Sequence, residues 1–245
     1  MRRSRGASPS NRAVRGTLRR RLLVNAVVDP DEAARHLPPG LRPHVTPRGT
    51  VVGCCLLEIE DLRPSPLPGL AGISMRAAAH RISAEWCDEA GQPVVGVFVP
   101  GRGTDSRLAV AAGGRWFPGV HGPARVDVIE RSSGFSWRVR SDGELSIDVT
   151  VSTPPSDGES ARCDPIGGTC LEATVGLSYG LGGDLEAASM APERRGAREV
   201  GIDDLHSRFI DSFGTAQLAP AYLMEHVAVT WTRAATPSMA SLATT

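Results

Sequence analysis

The chain has 245 residues with 27 arginines, 27 acidic residues and no lysine, so its formal charge is zero and every fixed positive charge is a guanidinium. No side chain can form a Schiff base, supply a P-loop ammonium or act as a lysine general base, because arginine stays protonated in proteins. Hydrophobic residues at 41% and charged residues at 22% fit a folded globular chain, long enough for one large all-β or α/β domain or two small ones.

The zero charge conceals an asymmetry. Residues 1 to 21 carry eight arginines (Arg2, Arg3, Arg5, Arg12, Arg15, Arg19, Arg20, Arg21) and the first acid is Asp29. Such a start could bind nucleic acid or an anionic membrane, but no aromatic side chain interleaves the arginines to stack on bases. A solvated, disordered basic extension over 1–17 is favoured, and nucleic acid is disfavoured as a partner. The apolar stretch 22–28 is broken by Asn25 and stopped by Asp29-Pro30, so it is no signal-peptide core, and no run reaches the ~18 apolar residues of a membrane helix. These features point to a cytoplasmic protein with no membrane partner.

The first apolar run, 18–29, reads as a strand. A short helix follows from Asp29 to Leu37, with Asp29 as N-cap, Pro30 in the first turn, and acids near the positive end. Pro38-Pro39-Gly40 ends it. Segment 50–62 is apolar, and candidate strands 76–87 and 93–100 flank the turn signal Asp88-Glu89-Ala90-Gly91, a hairpin. Period-2 alternation marks 126–129, then Phe135, Trp137 and Val139, then Leu145, Ile147, Val149 and Val151, with Ser132-Ser133-Gly134 and Ser141-Asp142-Gly143 as turns: a three-stranded meander. After a Pro/Ser/Gly-rich loop at 153–168, the pattern suggests a short helix from Thr169 to Leu177, then strands at 183–190, 198–209 and 225–233. About nine strands, a few short helices and no βαβ alternation predict a mainly β (α+β), barrel-like fold. A single domain over 18–233 with a flexible tail at 234–245 is the simplest organisation.

Five cysteines, with Cys54 and Cys55 adjacent in an apolar run, read as buried thiols rather than a disulfide framework. Cys163 and Cys170 lack the close spacing of a structural zinc site, so no metal and no cofactor is expected.

Three patterns could carry chemistry. Gly176-Leu177-Ser178-Tyr179-Gly180 has the form of a nucleophile elbow, followed in chain order by Asp203, Asp204 or Asp211 and by His226. Leu181-Gly182-Gly183-Asp184 cannot start the helix that such an elbow needs, so this reading is disfavoured. The stretch 100–125 concentrates Arg102, Arg107, Arg115 and Arg125 with His121 against one acid, Asp105. Forked guanidiniums suit carboxylate or phosphate, although Asp105-Ser106 could equally cap a helix through Ala112. In 78–86, strand periodicity puts His80, Ile82, Ala84 and Trp86 on one face and Arg81, Ser83 and Glu85 on the other. His80 is then either a satisfied core residue or, in a cavity, an acid or base.

Several segments taken in order resemble a known family. They are Arg20-Arg21-Leu22-Leu23-Val24-Asn25 with Val28-Asp29-Pro30, Leu37-Pro38-Pro39-Gly40-Leu41-Arg42-Pro43, Ala79-His80-Arg81, Gly96-Val97-Phe98-Val99-Pro100, and Gly113-Gly114-Arg115-Trp116-Phe117-Pro118-Gly119-Val120-His121, with Leu223-Met224 and Val229-Thr230-Trp231 late in the chain. The chain resembles the YqjF-like bacterial proteins of the acetoacetate decarboxylase-like superfamily. The resemblance implies a closed or nearly closed β-barrel or cone around a small-molecule cavity. It does not carry the decarboxylase activity across: Gly114-Arg115 is retained, but the following Pro-Lys-Lys element is replaced by Pro118-Gly119-Val120-His121-Gly122, and an imidazole cannot form the iminium that acts as electron sink. The arginine that those enzymes carry before their helix start is also replaced, near Val27.

The expectation is a protein that binds, and as an enzyme would transform, a small carbonyl or carboxylate compound without imine chemistry, as a lyase, isomerase or cyclase. Arg115 and His121 are the candidate catalytic residues, and His80, Arg81, Arg102, Trp116 and Phe117 the candidate substrate-binding ones. The alternative is a non-catalytic carrier of an apolar metabolite or lipid, with Phe98, Phe117, Trp86 and Trp116 lining its cavity. Homo-oligomerisation is left open.

Overall fold

A computed structural model describes residues 13–68, 71–88, 91–142, 145–153, 174–193 and 196–236. In chain order they form β1 (Val14–Val28), α1 (Pro30–Ala34), β2 (Arg42–Pro43), β3 (Val45–Thr46), β4 (Gly49–Pro64), β5 (Ile73–Cys87), β6 (Pro93–Phe98), β7 (Arg102–Thr104) and α2 (Arg107–Ala112). The second half adds β8 (Gly122–Pro123), β9 (Arg125–Arg131), β10 (Gly134–Arg140), β11 (Ser146–Ser152), β12 (Val175–Tyr179), β13 (Leu185–Pro192), β14 (Arg198–Ser207), α3 (Arg208–Asp211) and β15 (Gln217–Arg233).

Seven strands run in the order β1-β4-β5-β6-β12-β13-β15, and pairing of β15 with β1 closes them into a barrel. All these pairings are antiparallel except β12 on β6. Closure removes the exposed edges that long strands would otherwise present. From the first half of β15 a second sheet branches off in the order β14-β11-β10-β9. The expected meander is its outer part, with Trp137 paired to Val128 and to Val149.

Alternation sorts the side chains of β1, β4 and β5 onto two buried faces. One carries Leu22, Val24, Cys54, Leu56, Ala78 and Ile82, and packs against Phe135, Trp137, Ile147 and Val149 of the second sheet. The opposite face carries Leu23, Cys55, Ala77, Tyr222 and Met224. This second face is the barrel interior, because it is buried with no described side chain of β9, β10 or β11 packed over it; on it Arg102, in register with Ala79 and Cys55, approaches Ser178 on β12 and feels the charge of Glu186 on β13.

Local signals account for the helices. Asp29 caps α1 by accepting from the Asp31 and Glu32 amides, and Ser106 caps α2 by accepting from Ala109. Three segments depart from expectation. The described part of the predicted helix 169–177 is strand: Val175–Tyr179 pairs with both β6 and β13, so tertiary pairing decides the state of a short apolar run. The predicted strand 198–209 ends at Ser207, whose hydroxyl accepts from Ile210 N–H and turns Arg208–Asp211 into a helix. β15 begins eight residues before its predicted start, because a register shift opposite Leu23 and Asn25 absorbs Pro220. β1 starts at Val14, within the segment read as an extension; residues 1–12, the tail from 237, and Cys163 and Cys170 lie outside the described residues.

Candidate functional site

Arg102 sits on short β7, hydrogen-bonded along Ala77–Ala79 of β5, and register places it in one interior row with Ala79, Cys55 and Leu23. Its guanidinium meets the loop that follows α2. Gly119, with φ of +87°, lies so close that a Cβ there would come within 2.7 Å of both Arg102 Nη1 and Ser178 Oγ. Only glycine combines that left-handed backbone with such an approach. The Gly119 amide donates to Glu186 Oε2 at 2.8 Å, tying the loop to β13.

Arg102, Ser178, Val99, Val120, Tyr179 and Leu181 line a cavity of about 470 Å³. Burial pushes the Arg102 guanidinium down to about 10, partly offset by Cys55 and Glu186, so it stays charged at neutral pH. Its Nε is enclosed and has no hydrogen-bond partner among the described residues. His121, immediately before β8, is driven down to about 3 by burial first and by the Arg102 charge second, against a hydrogen bond involving the Gly119 backbone. It is a neutral imidazole at physiological pH, able to donate or accept but reluctant to hold a second proton.

A second cavity, of about 750 Å³, shares Pro100, Gly101, Arg102 and Gly122 with the first and is lined further by His36, His80, Leu145, Arg208 and Phe209. His80 is buried on the face that packs against the second sheet, its ring stacked on Phe209 at 4.3 Å, and desolvation pushes it down to about 4. Arg81 lies on the other, interior face, where its Nη2 donates to Asn25 Oδ1 at 3.1 Å. Asn25 in turn donates to the Pro220 carbonyl at 2.9 Å. Gly53 stands between them in the register, and a Cβ on it would fall 2.0 Å from the Val24 carbonyl oxygen.

The predicted residues thus divide. His121 lies close enough to Arg102 to feel its charge and sits between the lining residues Val120 and Gly122 without lining either cavity itself, Arg81 shares the Ala79 face of β5 but also lines neither, and His80 meets Arg102 in the second cavity. Arg115 is exposed, and its Nη1 donates to the Ala111 carbonyl at 3.1 Å, finishing α2; it lines neither cavity. Trp116 and Phe117 are half-buried and line neither cavity, while Trp86 and Phe98 are packed in the core. Ser178 lies buried within β12 rather than at a strand-to-helix turn, and His226, Asp203 and Asp204 are exposed, so no nucleophile elbow forms. Glu186 and Asn25 are additions to the site. Alternation along 183–190 groups Glu186 with Ala188 and Met190, but nothing in the sequence shows that this side faces inward. Among the described residues no group of three His, Cys, Asp or Glu side chains could hold a metal, and no helix is long and apolar enough to cross a membrane.

By sequence, no family model matches the chain and no curated protein matches it. By structure, it is similar to an acetoacetate decarboxylase from Legionella pneumophila subsp. pneumophila str. Philadelphia 1, with a TM-score of 0.65 and 12% identity over 97% of this chain and 94% of that one. It is also similar to the enduracididine biosynthesis enzyme MppR complexed with pyruvate, at TM-score 0.58 and 13% identity over 94% and 90% of the two chains. An acetoacetate decarboxylase-like enzyme from Sphingomonas wittichii RW1 matches at TM-score 0.56 and 13% identity, covering 96% and 99%. The closed seven-stranded barrel with its appended sheet therefore has the acetoacetate decarboxylase-like fold.

Proposed function

We propose that the protein binds a small carbonyl or carboxylate compound against Arg102 and transforms it by acid–base chemistry without an imine. The observation that carries this reading is a half-buried arginine whose enclosed Nε has no hydrogen-bond partner among the described residues, at the wall of a cavity, in a chain that has no lysine. A buried cation keeps its charge at a cost of several kcal/mol unless something compensates it, and an anionic or carbonyl oxygen would do so. MppR, of the same fold, is complexed with pyruvate, which supports a small oxo acid as the ligand class.

Arg102 orients the acid group or the carbonyl and stabilises negative charge that develops on oxygen as a neighbouring carbon loses a proton. The neutral His121 imidazole exchanges that proton, and a bound anion beside it raises its basicity by offsetting Arg102. Ser178 Oγ, beside Arg102 at the wall of the same cavity, offers the ligand a second polar contact. Enolisation of this kind serves a lyase, isomerase or cyclase. The same reading takes the chain as a YqjF-like member of its superfamily, cytoplasmic, with nucleic acid not a partner.

The test is hydrogen–deuterium exchange at the carbon next to the carbonyl of pyruvate and 2-oxobutyrate, followed by proton NMR in D2O. Wild type should accelerate exchange, and Arg102→Met and His121→Gln should each lose at least about tenfold, the scale of one removed catalytic interaction. Unchanged exchange in Arg102→Met rejects the assignment. Tight retention of an apolar metabolite in native mass spectrometry, with no exchange, would favour the carrier reading.

A further inference from the structure

We propose that the ligand of this site is an amphiphile with a single acid group: its polar end meets Arg102 and Ser178, and an unbranched apolar tail of several carbons lies across Val120, Tyr179 and Leu181. The proposal rests on the reading of Arg102 above and narrows its substrate class.

The polar end is compact. A Cβ on Gly119 would come within 2.7 Å of Arg102 Nη1 and of Ser178 Oγ alike, so the two groups stand side by side at the wall of the same cavity. Among the described residues that line this cavity Arg102 is the one charged side chain, which suits one acid group and offers no partner to a second. The lip is apolar. Val120, Tyr179 and Leu181 are 38%, 43% and 54% exposed, three of the nine large hydrophobic side chains that are exposed among the described residues, and all three line this cavity. They form one patch, because the Val120 amide donates to the Tyr179 carbonyl at 3.3 Å, and a Cβ on Gly114 would fall 3.0 Å from Val120 Cγ2 and 2.9 Å from Leu181 Cγ. The Gly180 amide donates to the Asp184 carbonyl at 2.8 Å and closes the turn that holds Leu181 in place. At about 470 Å³ the cavity is of a size that encloses ligands much larger than a three-carbon acid. A tail laid along the lip takes these side chains out of water, a gain that a small acid at Arg102 does not make.

Isothermal titration of the full chain with butyrate, hexanoate and octanoate tests this. Affinity should rise along the series, with octanoate bound at least about tenfold more tightly than butyrate, the gain of roughly two buried methylenes. Leu181→Ser, at an exposed turn position, should cut that ratio at least about threefold, whereas Arg102→Met should weaken every member by a common factor and leave the ratio in place. Equal affinities along the series, or a ratio that Leu181→Ser does not move, overturns the apolar tail and leaves the Arg102 reading standing. Failure of all three acids to bind, or a series indifferent to Arg102→Met, overturns both. A measurement that needs no variant is the nuclear Overhauser effect from the terminal methyl of bound octanoate: it should reach the methyl groups of Val120 and Leu181, and its absence from both overturns the placement of the tail.

Discussion

Arg20 Nη1 lies 2.8 Å from Glu130 Oε1, joining the first strand of the barrel to the outermost strand of the second sheet. The same guanidinium stands 3.6 Å from Glu58, 3.4 Å from Glu225 and 4.5 Å from the centre of the Phe135 ring. Glu58 is buried, so removing Arg20 strips it of one of the two cationic neighbours it has among the described residues, whereas Glu130 is open to water. Arg20→Ala should therefore cost about 2–3 kcal/mol and Glu130→Ala less than about 1 kcal/mol, read as urea midpoints at constant slope. Equal losses would mean that the exposed contact, and not the enclosed one, holds the sheets together.

Gly53 should tolerate no side chain. A Cβ 2.0 Å from the Val24 carbonyl oxygen cannot be relieved by a rotamer change, because the obstacle is the backbone of β1. Gly53→Ala should lose about 3 kcal/mol or more, the upper range for overpacking, and thermal unfolding would report it. A variant as stable as wild type would show that β1 and β4 can part locally.

Acid should weaken the fold through His80. Its folded value of about 4 lies below the ordinary 6.5, so between these values the unfolded chain binds more protons and stability falls as pH falls. From pH 7 to pH 5 this amounts to about 2 kcal/mol, absent in His80→Phe, whose ring keeps the stack on Phe209. Urea titrations of both proteins at the two pH values decide it; identical acid losses would transfer the effect to other groups.

Thiol reactivity should follow exposure. Cys54 is fully buried, with burial pushing it up to about 11, and Cys55 is also enclosed, while Cys87 is exposed. In a Cys163→Ser/Cys170→Ser background, one thiol, Cys87, should react with Ellman's reagent in the native state and three after denaturation. Fast native reaction of Cys54 would contradict its placement between the barrel and Ser207.

Much of the architecture was legible because it is local: alternation in 126–151 marks the meander, and Asp29 and Ser106 announce their helices. The site was legible only in part. Period-2 reading separates His80 from Arg81, yet both are buried, at 3% and 4% exposure, so no polarity contrast tells which faces the barrel interior. Arg102 and Arg115 both follow a glycine in one Gly- and Arg-rich stretch. What distinguishes them is tertiary: β7 pins Arg102 against β5, while α2 carries Arg115 to the surface. Glu186 enters through closure of the barrel, a relationship between strands far apart in the chain that no local pattern encodes.

β15 gives one edge to β1 along nearly its whole length and divides the other between β13 and β14. Barrel and second sheet are thereby two parts of one hydrogen-bonded fabric with no seam between them. The 113–121 connection is tied to the barrel by contacts such as Gly119 on Glu186, so Glu186→Gln should alter the rate of ligand exchange at Arg102 while leaving the stability of the sheets in place.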